Sequence, residues 1–420
     1  MSMKFLHCAD LHLDSPLRGL VAYEGAPVDE IRGATRRSFE NLVDLAVEEG
    51  VAAVVIAGDV YDGDRDDFNT AMFLQRNFER LRDEGIPVAL VHGNHDAANE
   101  ITRRLRPPDN VFVFPHDSPA THELADAGLS FHGRSYPTRA VHEDLSATYP
   151  PPVPGSLNVG VLHTSLSGRE GPHQVYAPCT EASLTTRGYD YWALGHIHER
   201  FEADRDGTWI VYPGNLQGRK STETGPKGAS VITYDTTGIT TVEHRTLDVV
   251  RWEVLEVDVS DARDADEVAG SVLSRMAPLI DEADGRLLAC RVRITGQNAA
   301  AGTIRAGAES WEAQLRADAA GAGARVWIEK IQLQVQDPAG HTVDAGEAIA
   351  AVRDAIRHAL EDPLVRDELA SEFSDVRSKL GVDLDGLLDL GAVGIDADSI
   401  AGVLPEVESL LVTELRGTAG

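Results

Sequence analysis

Short apolar runs, each ending in aspartate, asparagine or histidine, recur along the first 245 residues of the chain. The run VAAVVIAGD at 51–59 is the most informative, because an uninterrupted apolar stretch is typical of a strand buried on both faces of its sheet. Segments with the spacing of amphipathic helices, at 35–50 and 69–85, separate this run from its neighbours. Strands that alternate with helices in this way predict a layered α/β fold.

The chain is long enough for more than one domain, since it has 420 residues. We predict a first domain over 1–245, which ends where its strand-rich pattern stops. A strand–helix–strand pattern then predicts a smaller α/β domain over 250–340. Residues 343–420 have apolar side chains three and four positions apart, as in a helical region that packs on the rest of the chain or on another protein.

Several sequence features bear on where the protein is located. The sequence has no run of about 18 apolar residues, so we expect no membrane-spanning helix. The first ten residues turn polar too early for a secretory signal. The three cysteines, Cys8, Cys179 and Cys290, lie far apart and match no zinc-binding spacing, which favours reduced thiols in a cytoplasmic protein.

The net charge of −30 constrains the choice of partner. Proteins that bind nucleic acids usually present a basic face. Contact of this chain with DNA would therefore depend on local basic clusters, bound cations or a second protein. The pairs Arg103–Arg104 and Arg219–Lys220 are the candidate phosphate contacts, although pairs of this kind are more often simply solvated.

The polar residues that end the apolar runs are of the types that bind metal ions. They are Asp10, His12, Asp59, Asn94, His95, Asp96, His163, His196 and His198. Because ligands in open α/β folds bind at the carboxyl ends of strands, we expect these side chains to meet at one edge. Carboxylate, amide and imidazole groups without cysteine suit manganese, iron or zinc. The set is large enough for two ions, and Asp59 is the best candidate for a shared ligand because its strand is the most apolar.

Glycine precedes three of these residues, at Gly58, Gly93 and Gly195. A residue without Cβ allows the backbone to approach a crowded centre closely. We therefore expect the backbone to pack tightly against the ligands at these positions.

The motifs DLH, GD, GNHD, H and GHIH, in this order, resemble those of the calcineurin-like metallophosphoesterases. The longer stretches HCADLHLDSPL, GRSYP and YPGNLQGR are similar to the SbcD-type DNA repair exonucleases, and most of all to their YhaO-like branch. The resemblance is strong over residues 4–235. It implies a layered α/β/β/α sandwich, a smaller α/β capping domain and a helical C-terminal region.

The resemblance also implies a role for each candidate residue. The first metal ion would be held by Asp10, His12, Asp59 and His198, and the second by Asp59, Asn94, His163 and His196. His95 would be the general acid, oriented by its neighbour Asp96. The family implies two manganese ions as cofactors, DNA as substrate, a coiled-coil ATPase of the SbcC kind as partner, and homodimers.

One position departs from the better-known repair nucleases of this family, which have a histidine three residues after the shared aspartate. Here that position is Asp62. The family associates the histidine with handling of the DNA strand. A carboxylate at this position is expected to repel phosphate unless a cation lies between them.

Two other functions fit the same motifs. A metallophosphoesterase that cleaves nucleotides or other small phosphoesters would use the same ligands, and the acidic composition favours this alternative. The second alternative is a non-catalytic scaffold with a vestigial metal site. The complete set of ligands argues against the scaffold, because a decayed site normally loses ligands first.

Overall fold

Two six-stranded sheets that pack face to face form the first part of the chain in the computed structural model. The structure describes residues 2–15, 26–62, 68–98, 106–168, 174–321 and 325–336. The helical region predicted over 343–420 and the candidate phosphate contacts Arg103 and Arg104 lie outside these residues.

The first sheet is mixed, and its strands lie in the order β12-β11-β1-β2-β3-β4. These strands are β1 (Met3–Cys8), β2 (Val54–Ala57), β3 (Val88–Val91), β4 (Val111–Val113), β11 (Gly228–Asp235) and β12 (Gly238–Thr246). Strands β1 to β4 are parallel, so their carboxyl ends lie at the same edge. Strand β11 runs antiparallel to both of its neighbours.

The second sheet is also mixed, and its strands lie in the order β5-β6-β7-β8-β10-β9. These strands are β5 (Ala120–Leu124), β6 (Leu129–Gly133), β7 (Leu157–His163), β8 (Tyr191–Gly195), β9 (Phe201–Arg205) and β10 (Thr208–Tyr212). Strands β6, β7, β8 and β10 are parallel, and the edge strands β5 and β9 are antiparallel to their neighbours.

Helices cover the outer face of the first sheet, and others belong to the second part of the chain. They are α1 (Val28–Arg32), α2 (Ala34–Glu48), α3 (Phe68–Asp83), α4 (Asn94–Ala98), α5 (Glu181–Thr185), α6 (Ala265–Ala283), α7 (Ala301–Ala306) and α8 (Ala308–Gly321). The predicted apolar face of α2, which includes Phe39 and Leu42, is buried. The chain turns away after α2 at Gly50, whose φ of 56° is a left-handed conformation that favours glycine.

Strand β2 is buried on both faces, as its apolar sequence predicts. Val55 belongs to the apolar layer between the two sheets, which also contains Phe5, Phe131 and Tyr191. The neighbouring Ile56 points the other way, into the layer beneath α2 and α3. Alternate side chains of one strand therefore serve two apolar layers, and the predicted layered α/β fold is confirmed.

A smaller parallel sheet follows, in agreement with the strand–helix–strand pattern of the sequence. Its strands, in the order β13-β14-β15, are β13 (Val250–Asp258), β14 (Leu287–Gln297) and β15 (Val326–Gln336). Helix α6 begins at the N-cap Asp264, whose carboxylate accepts hydrogen bonds from the amides of Asp266 and Glu267. The apolar side of α6 packs on this sheet through Val268 and Val272.

The small sheet is joined to the first part of the chain by an apolar contact and by a buried ion cluster. Trp252 and Trp327 of the small sheet pack with Ile31 of α1. Between β12 and β13, the carboxylate of Asp248 accepts hydrogen bonds from Arg251 at 2.7 and 3.1 Å. Arg286 also contacts this carboxylate, at 3.2 Å. Among the described residues, no helix is both long and apolar enough to cross a membrane.

Replacing Asp248 with alanine is expected to lower the free energy of unfolding by about 3–5 kcal/mol, because the change leaves Arg251 as a buried, unpaired charge. Only 5% of the Arg251 side chain is exposed. Urea denaturation of wild type and variant would measure the change. The matched control is Asp83→Asn, which removes an exposed carboxylate paired with Arg82 and is expected to change the free energy by less than about 1 kcal/mol.

Candidate metal centre

The carboxyl ends of five strands bring the predicted ligands together. Asp10 follows β1, Asp59 follows β2, Asn94 follows β3, His163 ends β7 and His196 follows β8. All of these side chains are buried, as are His12 and His198. The sequence-based expectation that the strand ends meet is therefore fulfilled for strands of both large sheets.

One group of ligand atoms belongs to Asp10, His12 and His198, and these atoms all lie within 4.8 Å of one another. The Nε2 atoms of His12 and His198 face each other at 3.1 Å. His198 Nδ1 lies 2.8 Å from the carboxylate of Glu223, to which it can donate a hydrogen bond. This bond leaves the lone pair of Nε2 directed into the group, which is the arrangement of histidines that bind metal ions.

A second group belongs to Asp10, Asp59 and His163, again with all ligand atoms within 4.8 Å. His163 Nε2 lies 3.0 Å from Asn94 Oδ1 and 3.4 Å from Asp59 Oδ2. The Nδ1 of the same ring lies 2.9 Å from the carbonyl oxygen of Ala57, to which it can donate. As in His198, this leaves Nε2 directed toward the neighbouring oxygen atoms.

Asp59 belongs to the second group, and its carboxylate also lies near His12 of the first, so its role as a shared ligand stays a prediction. Its Oδ2 is 3.4 Å from His163 Nε2 in one group and 3.9 Å from His12 Nε2 in the other. Its Oδ1 accepts a hydrogen bond from the amide of His95 at 2.9 Å. Of these two groups, Asp10 belongs to both and Asp59 to the second alone, whereas the resemblance assigned Asp10 to the first ion alone.

His196 is placed differently from the other predicted ligands. Its amide donates to both carboxylate oxygens of Asp10, at 3.1 and 3.0 Å. Its ring Nε2 lies 2.9 Å from the carbonyl oxygen of Gln174, and its ring packs against that of His163 with centroids 5.1 Å apart. None of the three groups defined by mutual distance among the described residues, the third being His12, Asp62 and His95, includes His196, so its role as a ligand stays a prediction.

Backbone strain is concentrated at the ligands. Asp10, His12, Asp59 and His196 have positive φ angles of 52°, 43°, 52° and 102°. Residues with a Cβ adopt such angles only when the surrounding structure holds them there, and they cluster at functional sites. Such backbone conformations are unfavourable, so their presence at this edge of the sandwich supports a functional role for the site.

His95 faces Asp62, not Asp96 as the sequence predicted. His95 Nδ1 lies 3.3 Å from Asp62 Oδ1. The carboxylate of Asp96 instead accepts hydrogen bonds from the backbone amides of Val60, Tyr61 and Gly93, at 3.2, 3.0 and 3.0 Å. Through these three hydrogen bonds Asp96 joins the two ligand-bearing loops, and the side chain that contacts the ring of His95 is Asp62.

The negative charge of Asp62 is balanced within the structure. Its Oδ2 lies 3.2 Å from Nη1 of Arg219 and accepts a hydrogen bond from Ser15 Oγ at 2.5 Å. The sequence expectation was that this carboxylate repels phosphate unless a cation lies between them, and the structure places the guanidinium group of Arg219 beside it. Of the two candidate phosphate contacts, Arg219 has 14% of its side chain exposed and is paired with Asp62, whereas Lys220 is exposed; both roles stay predictions.

The electrostatics of the centre favour a cation. Burial opposes protonation of His163, yet the charges of Asp59 and Asp10 raise its pKa to about 9. Burial, reinforced by the charge of Arg219, lowers the pKa of His12 to about 3, so this ring stays neutral and keeps a lone pair for a ligand bond. The carboxylate charge that favours a proton on His163 would equally favour a divalent cation in its place, and the neutral ring of His12 is a suitable ligand for one.

Glu223 is the functional candidate that the sequence reasoning missed. Its Oε2 accepts from Asn215 Nδ2 at 3.0 Å and from the amide of Arg219 at 2.8 Å, while Oε1 faces His198. Burial opposes ionisation, but these contacts hold the pKa of Glu223 below its ordinary value. A lone glutamate in a loop has no motif, although the adjoining YPGNLQGR stretch marked the loop as relevant.

As predicted, the glycines before the ligands lie where the backbone is packed too closely for any side chain. A Cβ on Gly93 would lie 2.3 Å from Asp59 Oδ1, and one on Gly58 would lie 2.5 Å from His163 Nδ1. A Cβ on Gly195 would lie 2.0 Å from the carbonyl oxygen of Ala57. Each distance is far below a normal contact.

Gly93→Ala is expected to lower manganese affinity by at least about tenfold, because the new methyl group displaces the carboxylate of Asp59. Titration calorimetry would measure the affinity. Gly128→Ala is the matched control, since a Cβ on Gly128 meets nothing within 4 Å and any loss there reflects only its φ of 61°. Unchanged manganese affinity in Gly93→Ala would contradict the proposed position of Asp59.

The sequence of residues 3–200 matches the family of calcineurin-like phosphoesterases. These residues form a calcineurin-like metallophosphoesterase domain. The predicted family is thereby confirmed for this domain. Beyond it, residues 252–336 match the middle domain of the metallophosphoesterase YhaO.

Proteins from several organisms are similar to this chain. An uncharacterized metallophosphoesterase, YhaO of Bacillus subtilis, is 37% identical over 264 residues, which are 62% of this chain and 64% of that protein. The DNA double-strand break repair protein Mre11 of Haloferax volcanii is 26% identical over 264 residues, 61% of this chain and 55% of that protein. A crystal structure of a dimetal phosphatase from Danio rerio aligns with a TM-score of 0.35 and 14% identity, over 59% of this chain and 98% of that one. The chain thus matches less than two thirds of the length of either curated relative.

Proposed function

We propose that the chain is a two-metal phosphodiesterase that hydrolyses DNA, as an exonuclease in repair. The observation that carries the proposal is the pair of ligand groups around Asp59, with the ring of His95 beside them. Centroids of the His95 and His12 rings are 5.0 Å apart. A histidine next to a two-cation site is the arrangement that phosphodiester cleavage needs.

Each residue of the centre has a separate task in this proposal. Asp10, His12, Asp59 and His198 would hold one cation, and Asp59, Asn94, His163 and His196 the other, with manganese as the expected metal and iron or zinc as alternatives. Two divalent cations supply positive charge that stabilises the phosphoryl oxygens as charge develops on them.

His95 donates a proton to the leaving oxygen. Its side chain is 29% exposed, so the ring can reach a substrate while Nδ1 stays with Asp62. Burial opposes protonation, but Asp62 and Asp59 raise the pKa of His95 above its ordinary value, which keeps the proton available near neutral pH.

The choice of DNA as substrate is supported by the similarity to SbcD-type nucleases and to Mre11, which is named as a DNA double-strand break repair protein. The net charge of −30 does not favour DNA binding by the chain alone. The proposal therefore includes an SbcC-like coiled-coil ATPase as partner, recruited through residues 343–420, and a homodimer. A cytoplasmic location is part of it, since Cys8, Cys179 and Cys290 are free and buried.

A second candidate function is hydrolysis of nucleotides or other small phosphoesters. The acidic composition favours it, because a small substrate needs no extended basic surface. The ligands and His95 would serve both substrates equally well.

Comparison of two substrates decides between these functions. Turnover of a small chromogenic phosphodiester and degradation of linear and nicked DNA would be measured with manganese, for the chain alone and with an SbcC-like ATPase. DNA degradation supports the nuclease, whereas turnover of the small ester without any DNA degradation supports the second candidate. A chain that cleaves neither substrate would act as a scaffold.

A further inference from the structure

The loop that connects β10 to β11 lies between the metal centre and the small sheet. Arg219 in this loop directs its guanidinium group inward, and only 14% of the side chain is exposed. Nη1 lies 3.2 Å from Asp62 Oδ2, and Nη2 lies 3.4 Å from Glu223 Oε1. One buried cation thus joins two carboxylates that are 161 residues apart in the sequence, from 62 to 223.

Each of these carboxylates contacts a different histidine of the centre. Asp62 Oδ1 lies 3.3 Å from His95 Nδ1, and Glu223 Oε1 lies 2.8 Å from His198 Nδ1. The guanidinium group is planar and presents its donors in a fixed fork, so it restricts both carboxylates at the same time. Through Asp62 and Glu223, Arg219 can therefore fix the position of the His95 ring relative to that of His198.

The other side of the loop is bound to the small sheet. Trp252 of β13 donates from its indole N–H to the carbonyl oxygen of Gly218 at 2.9 Å, and its own carbonyl oxygen accepts from the amide of Gly225 at 3.1 Å. Gln217 donates to the carbonyl oxygen of Val250 at 2.7 Å. These bonds lie on both sides of Arg219 and fix the backbone from which its side chain extends.

We propose that Arg219 is a positioning residue for phosphodiester cleavage, which fixes His95 relative to His198 through Asp62 and Glu223, and that β13 holds Arg219 in place through Trp252. This inference rests on the proposed function. It assigns the small sheet a part in the reaction without any contact between that sheet and the reacting atoms.

Arg219→Met tests the proposal, because methionine keeps most of the volume and removes the cation. We expect kcat for DNA cleavage to fall by about 10–100-fold with KM within about twofold, since substrate binding is untouched while the geometry of His95, which protonates the poor leaving group of DNA, is lost. The matched control is Arg205→Met, which removes an exposed arginine paired with Glu181 and is expected to leave kcat unchanged. A kcat for folded Arg219→Met within about twofold of wild type overturns the proposal.

Calorimetric titration with manganese provides a readout that does not depend on activity. Loss of Arg219 leaves Glu223 free to move away from His198, so we expect about tenfold weaker binding of one of the two ions. The titration separates the role proposed for Arg219 from the proposed function, because it still tests Arg219 if the wild-type chain cleaves no phosphodiester. Unchanged affinity for both ions overturns the link to His198.

Two further variants keep the test decisive if Arg219→Met does not fold. Arg219→Lys retains the charge but presents its donors from a single nitrogen instead of a planar fork, so it holds the two carboxylates less rigidly and kcat is expected to recover only in part. Trp252→Phe removes the indole N–H and keeps an aromatic ring against Trp327, and about a fivefold loss of kcat is expected. Wild-type kcat in Arg219→Lys or in Trp252→Phe overturns the role of the bridge or of β13, respectively.

Discussion

Replacing Asp59 with asparagine is expected to abolish manganese binding and to reduce hydrolysis by more than about 1,000-fold, or about 4 kcal/mol in activation free energy. The structural reason is the position of one atom. Asp59 Oδ2 lies 3.4 Å from His163 Nε2 and 3.9 Å from His12 Nε2, so one oxygen is within reach of an ion held by either histidine. An amide in its place has no charge and can bridge two cations only poorly.

The Asp59→Asn variant is expected to lose bound metal ions as well as catalytic rate. In the wild type, the hydrogen bond from the amide of His95 occupies Oδ1 and leaves Oδ2 for the centre. In Asp59→Asn, the amide side chain can reverse this arrangement and direct a donor at His163. Neither ion should therefore bind measurably, and added manganese should restore little activity.

Metal content of the purified variant, together with calorimetric titration, measures this outcome. Asp83→Asn is the control, since it removes a carboxylate that is 71% exposed and distant in sequence from every ligand. Two tightly bound ions in Asp59→Asn, with hydrolysis near the wild-type rate, would show that Asp59 is not shared.

Much of the fold follows from the sequence because the central strands are almost purely apolar. Strands β2, β7 and β8 are buried along their whole length, and their patterns predicted them directly. The edge strands β5, β9 and β12 were missed, since sequences such as FEADR expose every other side chain and contain few apolar residues. What makes them strands is pairing with a neighbour, as β9 pairs with β10.

The ligand set was predictable for a related reason. A strand end fixes where its next residue lies, so the motif around Asp59 or His163 specifies a position at the edge of the sheet. The partners of these ligands come from loops, whose course depends on tertiary contacts. Glu223 reaches His198 only because β13 and Asn215 hold its loop, and the proximity of Asp62 to His95 depends on two loops that meet in space.

The second large effect is expected for His95→Ala, which should retain both metal ions and lose about 100–10,000-fold in kcat on DNA. The ring of His95 lies near His12 and Asp62, in a third group of possible ligand atoms, and belongs to neither of the two groups formed by Asp10 with His12 and His198 or with Asp59 and His163. Its removal therefore leaves the metal ions in place and takes away the proton for the leaving oxygen.

The leaving group makes this prediction specific to acid catalysis. The sugar oxygen of DNA is a poor leaving group and needs a proton, whereas the phenolate of a chromogenic ester departs readily without one. The loss in His95→Ala should therefore be much smaller for the ester than for DNA, while His116→Ala, an exposed histidine without a motif, should resemble the wild type on both. Equal losses on the two substrates would mean that His95 binds or orients the phosphate instead of donating a proton, because only proton donation depends on the basicity of the oxygen that departs.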